Sequence, residues 1–263
     1  MSARNSFDKY AAYAVAVQSA SYDARVIRRI YRELVRREPT LMREDFCSTF
    51  QLCCEWVKLD RTKQAVGLDI DPEPLAYGRS HYLAQLSSSE RERVNVLQRD
   101  VLRAGAPRAD LICALNFSYF VFKQRSTLSA YFRRCRRVLE SGGMLLVDLF
   151  GGPHYGEPAM DTKTLPGLKY WFEQEFFDPI SNYTRFHIHF KPRGRRIQKR
   201  VFSYDWRMWS IPEVCDLMRE AGFKDVVVYW EGTGRNGRGS GRFHRRERGE
   251  SCSIWVAYVA GIA

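Results

Sequence analysis

A chain of 263 residues with 45% hydrophobic content is large enough for one α/β domain, or one domain carrying an insertion, around a packed core. No apolar run is long enough to span a bilayer, and seven cysteines scattered as Cys47, Cys53, Cys54, Cys113, Cys135, Cys215 and Cys252 exclude a secreted disulfide framework and a paired zinc motif. The net charge of +12, from 42 basic against 30 acidic residues, points to an anionic partner, RNA or a phosphorylated small molecule, with a merely solvated basic surface as the plain alternative.

Met1 to Ala20 contains Arg4 and Asp8 and lacks the apolar centre of a secretory signal, so a reducing compartment is expected: the cytoplasm, or alternatively the mitochondrial matrix. From Tyr22 to Arg37, Val26, Ile30, Tyr31 and Leu34 recur at helical spacing, Arg25, Arg28, Arg29, Arg32 and Arg36 lie on the other side, and Pro39 stops the helix. Residues 1–38 thus read as an N-terminal helical cap. Tyr10 and Tyr13 are either core residues or part of a segment that folds over a ligand.

Leu41 to Asp71 organises the rest. It reads as a turn over Glu44-Asp45-Phe46-Cys47-Ser48-Thr49-Phe50, a short helix over Gln51–Lys58, and a buried strand, Ala65–Leu68, closed by Asp69. A carboxylate ending a buried strand some twenty residues after a strand-to-helix turn is the arrangement that accepts both hydroxyls of a nucleoside ribose. Asp69 is that acid, with Ile70 beside it.

Val66-Gly67-Leu68-Asp69-Ile70-Asp71-Pro72-Glu73-Pro74-Leu75 followed by Ala76-Tyr77-Gly78-Arg79 resembles the second-strand signature of class I S-adenosylmethionine-dependent methyltransferases. The resemblance implies a Rossmann-like, seven-stranded, mostly parallel α/β sheet whose last strand is antiparallel, with S-adenosyl-L-methionine as cofactor. In that family the turn carries an acid-x-G-x-G-x-G pattern, and here Phe46, Ser48 and Phe50 stand at the glycine positions. The stretch is closer to an uncharacterised bacterial subgroup reading E-D-F-C-G-T, from which Ser48 also departs. By the resemblance, Glu44, Asp45, Phe46, Cys47 and Ser48 face the methionine part of the cofactor. A side chain where backbone must take positive φ predicts strain on the order of 1 kcal/mol.

Beyond it, Pro72 and Pro74 start a helix that runs through Tyr82 and Leu86, and Val94–Leu97 is a third strand leading to Asp100 and Val101. The resemblance makes this pair the adenine contact, while Asp100 as a simple turn cap is the alternative. Ala109–Leu115 is a strand buried on both faces, ending in Asn116-Phe117-Ser118-Tyr119 at the mouth of the ligand crevice. Asn116 and Tyr119 have the spacing of the N-P-P-Y motif of amino methyltransferases without its prolines, which makes them the catalytic candidates; Asn116 touching only the cofactor is the other option. The helix Ser126–Leu139, the pair Gly142-Gly143 and the strand Met144–Phe150 repeat a further methyltransferase signature.

Residues 151–205 change character: Lys169–Phe177, Tyr183–Lys191 and Arg196–Tyr204 alternate as an antiparallel meander, which reads as a substrate lid inserted into a core of 39–150 and 206–263. His187 and His189 share a strand face but lack a third ligand, so no metal is expected. Ser210 and Glu213 cap a helix from Pro212 to Ala221, and Val226–Trp230 and Ser253–Ala260 are the last two strands. The connection from Glu231 to Glu250 carries Arg235, Arg238, Arg242, Arg245, Arg246 and Arg248, either a phosphate clamp or a solvated hairpin tip. Tyr119, Arg207, Trp230 and Arg245 are the candidates for substrate contact. Two functions compete: a methyltransferase of small molecules or RNA, and a methyltransferase-like RNA-binding or ribonucleoprotein assembly factor that has lost catalysis.

Overall fold

The computed structural model describes residues 7–103, 105, 107–234 and 239–263. The chain parts into two compact units, one made of residues 20–154 and 207–263, the other of residues 1–19 and 155–206.

The larger unit is built on an eight-stranded sheet. Its strands are β1 (Leu41–Asp45), β2 (Gln64–Asp69), β3 (Val94–Gln98), β4 (Ala109–Ala114), β5 (Leu139–Gly151), β10 (Asp225–Thr233), β11 (Gly239–Arg245) and β12 (Trp255–Ile262). They lie in the order β11-β10-β12-β5-β4-β1-β2-β3. β1 pairs in parallel with β2 on one side and β4 on the other, so the chain reverses its direction of winding at β1 and β4. Ligands bind at such a switch point, beyond the carboxyl ends of the strands. The last-strand expectation holds: β12 runs antiparallel to both β5 and β10. β11 is an eighth strand, formed where a loop was expected, and it pairs antiparallel with β10.

Successive residues of a strand point to opposite faces, and β1 uses this to sort its charges. Met42 and Glu44 face the helices α2 (Ala20–Val35) and α3 (Gln51–Val57), where Ala24, Ile27, Tyr31, Cys53 and Trp56 form the core. Arg43 and Asp45 face α6 (Arg125–Val138), where Tyr131 donates to Asp45 at 2.8 Å. α7 (Ile211–Glu220) packs on β10 and β12, and its Ser210–Glu213 capping box is present. Gly142, at φ 67, does not end α6 but sits inside β5, which starts at Leu139; the register with β4 shifts there, and a Cβ on Gly143 would strike the Asp110 carbonyl.

The smaller unit is a four-stranded antiparallel sheet, β6 (Met160–Leu165), β7 (Leu168–Asp178), β8 (Tyr183–Pro192) and β9 (Gln198–Arg207), with the helix α1 (Lys9–Ala16). Its apolar face, Tyr170, Ile188 and Phe190, is covered by Ala12 and Ala16. α1 therefore belongs with the inserted sheet and α2 with the core of the larger unit. On the polar face, His187 pairs with Ser203 at 2.7 Å and Glu175 at 3.2 Å, and His189 with Glu173 at 2.6 Å. Both imidazoles are thus committed to cross-strand partners.

Candidate active site

The turn after β1 keeps the backbone of a glycine loop without its glycines. Phe46, Ser48 and Phe50 all lie in the left-handed region, at φ 59, 49 and 45. For residues with a Cβ that conformation costs about 1–2 kcal/mol each, so the surroundings must hold it. The Cys47 amide donates to the Leu68 carbonyl at 3.0 Å, the Phe50 amide to the Cys47 carbonyl at 2.6 Å, and the Ser48 amide to Asp69 Oδ2 at 2.7 Å. Each ring or thiol then leaves the loop for a packed site. Phe46 lies 5.7 Å from Phe122 and 5.9 Å from Tyr131, ring centre to ring centre. Phe50 is buried under Gly78, where any Cβ would collide with it, and Cys47 fits against Gly67, where a Cβ would come within 2.8 Å of its sulfur.

Asp69 sits half-buried at the carboxyl end of β2. Its Oδ2 accepts from Ser48 and its Oδ1 from the Asp71 amide at 3.0 Å. The carboxylate therefore ties the first turn to the second strand, and each oxygen keeps lone-pair capacity for one further donor. Burial pushes its pKa up, against the pull of those amides. Next to it Ile70 is 68% exposed, a large apolar side chain presented to solvent beside a polar clasp. Asp100 accepts from the Leu102 amide at 2.8 Å, so the turn-cap alternative is realised for Oδ1, and Val101 is buried behind it.

On the other flank of the switch point, Asn116 and Phe117 are also left-handed, at φ 56 and 59. Their amides donate at 2.8 and 2.9 Å to the two oxygens of Asp148, in β5. Asp148 was not among the sequence candidates, although a lone acid within the apolar run Met144–Phe150 was the available signal. It faces the same side of the sheet as Glu44, which accepts from the Cys53 thiol at 3.1 Å. Burial raises Glu44 to about 8 and Asp148 to about 7, and Asp23 of α2 adds its charge to both. Carboxyls massed this way favour a positively charged group among them. The side chain of Asn116 has no hydrogen-bond partner among the described residues and remains partly accessible.

Several expected contacts are corrected. Asp45 is fully buried in β1 and bonded to Arg43 Nε at 2.6 Å and to Tyr131, so it holds the core together rather than a ligand. Glu44, too, lies in a strand rather than in the turn. Cys47 turns its thiol into the core. Tyr119 is fully buried against Phe120 and Phe132, with no surface for a substrate. Arg207 stacks 3.9 Å over Trp209 and donates to the Lys123 carbonyl and Glu213, which fixes it as a brace of α7. Trp230 is buried against Trp255 and Gly249. Arg245 ends β11 opposite Tyr229, which registers through Tyr258 with Asp148, but β11 is the edge strand of the sheet, with β10, β12 and β5 between it and β4. Arg235 and Arg238 lie outside the described residues.

An open α/β sheet with two turns at its switch point, one held by Asp69 and the other by Asp148, defines a protein of the Rossmann-like fold class. Residues 47–147 match the family model of the methyltransferase domain, and the whole chain has the fold of class I methyltransferases. It is similar to the crystal structure of DesVI from Streptomyces venezuelae, with a TM-score of 0.70 and 17% identity over 98% of this chain and 99% of that one. The CcbJ methyltransferase from Streptomyces caelestis gives a TM-score of 0.70 at 15% identity over 97% and 100%. CalS10, an amino pentose methyltransferase from Micromonospora echinaspora solved with S-adenosylmethionine bound, gives 0.66 at 16% over 98% and 99%. No curated protein sequence matches the chain.

Proposed function

We propose that this protein is an S-adenosylmethionine-dependent methyltransferase whose acceptor is an amine on a small, sugar-like molecule. The observation that carries the reading is the Asp69–Ser48 bond at 2.7 Å: a glycine-loop backbone is kept without glycines and is tied to the acid that clasps a ribose. The residues present fit the cofactor. Asp69 retains acceptor capacity for ribose hydroxyls, exposed Ile70 offers an apolar face for the base, and Glu44 with Asp148 suits a cationic end.

When bound, the cofactor supplies an electrophilic methyl group on a sulfonium. The chain's own contribution is placement. Asp148 holds the Asn116 backbone, and the Asn116 carbonyl oxygen accepts from the acceptor amine, aiming the nitrogen lone pair. An amine is favoured over a hydroxyl by that free amide and by the amino pentose acceptor of CalS10. The rival reading, an assembly factor that has given up its cofactor, was motivated by the glycine-poor turn. That motive weakens, because the turn keeps the left-handed geometry at all three positions.

Calorimetric titration with S-adenosylmethionine, followed by transfer of labelled methyl to amino sugars and to their hydroxyl counterparts, tests the reading. Micromolar binding and label on the amino sugars alone are expected. No heat at millimolar cofactor would overturn the enzyme reading, and equal labelling of the hydroxyl counterparts would overturn the amine.

A further inference from the structure

The +12 charge is not spread evenly over the larger unit. On α2, positions 25, 29 and 32 fall on one face because each turn takes 3.6 residues, Arg36 follows directly beyond the helix end in a left-handed conformation, and all four are exposed arginines. The opposite face carries Ala24, Ile27 and Tyr31 into the core, so packing fixes which way the arginines point. From Arg25 to Arg32 the helical row is about 10 Å long at 1.5 Å per residue, and Arg36 extends it past the helix end.

β11 lies beside this helix. Tyr22 donates to the Gly241 carbonyl, and Arg29 to the Phe243 carbonyl at 2.8 Å. Phe243 enters the core on the α2 side, so Arg245, two residues on, points the same way. Tyr229 is accordingly influenced by Arg29, Glu33 and Arg245 together. Arg246 and Arg248 extend the surface beyond the strand, and both are exposed.

Acids neutralise the row only in part, and Glu33 lies among its arginines. Glu38 takes Arg28, Arg32 and Lys63 at its lower end, and Asp110 takes Arg37. Arg25, Arg29, Arg36 and Arg245 have no carboxylate within ion-pair distance among the described residues. Crowding unpaired arginines weakens a fold through self-repulsion, and a polyanion relieves it. The row is also separate from the crevice. Arg37 meets Asp110 at the start of β4, whereas Asn116 follows the end of that strand. A small acceptor at the Asn116 end of β4 would leave Arg37, at the opposite end of that strand, untouched.

We infer that the arginine face of α2 and β11 is a docking surface for the phosphodiester backbone of a nucleic acid. Guanidinium forks match phosphate oxygens, and a nucleic-acid strand offers a charge about every 3.4 Å of helix axis along the length of the row. A membrane fits less well, because Tyr22 is the only exposed large apolar side chain of α2, Leu34 and Val35 being partly buried against the core. This inference is independent of the acceptor proposed above.

The test is fluorescence anisotropy of the full chain with labelled 20-nucleotide single-stranded RNA, the RNA duplex and the DNA duplex across a salt series, with phosphatidylserine vesicles in parallel. Binding should fall with salt along a slope of about −3 to −4 on a log–log plot, as four or five phosphate contacts require. Arg25→Glu/Arg36→Glu/Arg245→Glu should weaken it at least tenfold and flatten the slope by about 2, while S-adenosylmethionine affinity and the melting temperature stay as in the parent. Lys191→Glu/Lys199→Glu, in the smaller unit, should change neither slope nor affinity. If the triple charge reversal disturbs folding, Arg25→Gln/Arg36→Gln serves in its place, with about two-thirds of the change in slope. Preference among the three nucleic acids identifies the source. Absence of binding at 50 mM salt, binding to vesicles alone, or equal loss in the control variant would overturn the inference.

Discussion

Ser48 stands in a left-handed conformation with a side chain that no packed site requires, whereas Phe46 and Phe50 at the neighbouring positions fill clusters of their own. Ser48→Gly therefore relieves strain without opening a cavity and should stabilise the protein by about 1 kcal/mol, read as a rise in melting temperature. Phe50→Gly should do the reverse and cost about 3–5 kcal/mol through the lost ring. Asp69 both ties the turn and faces the crevice. Asp69→Ala should weaken S-adenosylmethionine binding by about 1.5–3 kcal/mol in calorimetry, and an unchanged affinity would mean the ribose lies elsewhere. Glu44 gives a pH signature. Its folded pKa of about 8, like the value of about 7 for Asp148, is above the ordinary carboxylate range, so the native state holds the proton more tightly than the unfolded chain. That stabilisation is complete below about pH 4 and is lost as pH rises through about 7 to 8. The ligand-free protein should melt progressively lower from about pH 5.5 to about pH 8.5, and Glu44→Gln should flatten the decline. An equally steep decline in the variant would show that the carboxyl is not the source.

β1 is where a reading of sequence meets its limit at the level of elements. Ala65–Leu68 and Ala109–Leu115 announce themselves as buried strands by being apolar, and both are strands at the expected places. Leu41-Met-Arg-Glu-Asp45 is as central as either, yet three of its five residues are charged. It is tolerable there because Arg43 and Asp45 neutralise each other on one face, with Tyr131 from an element 86 residues away completing the set. That partnership has no local signature. Removing one member leaves a buried charge uncompensated, so Asp45→Ala should cost about 3–5 kcal/mol in chemical denaturation, against about 1 kcal/mol for Tyr131→Phe. Tyr119 and Trp230 failed as site residues for a related reason. Spacing locates them near the crevice, but burial is decided by Phe132 and Trp255, which arrive from distant strands and helices. β11 escaped because glycines and arginines suggest a loop, and its strand depends on the edge that β10 offers.

Across the whole molecule, every candidate for cofactor contact that survives, from Glu44 to Asp148, belongs to the larger unit, and the antiparallel sheet with α1 forms a unit with its own core. A chain starting at Ala20 with residues 155–206 replaced by a short flexible linker should still bind S-adenosylmethionine within about threefold of the parent, on the premise that its pocket is built from one unit. Loss of binding would assign the smaller unit a share of that pocket. The larger unit also hides its sulfur: Cys47, Cys53, Cys54, Cys113, Cys135 and Cys215 are all buried as free thiols, and only Cys252 is partly open. Burial keeps these six protonated and hence unreactive, since alkylation needs a thiolate in contact with solvent. Their modification then keeps time for the opening of the fold. A maleimide added to the native protein tags one position promptly, and the six that follow register, by their pace, how often each neighbourhood breathes.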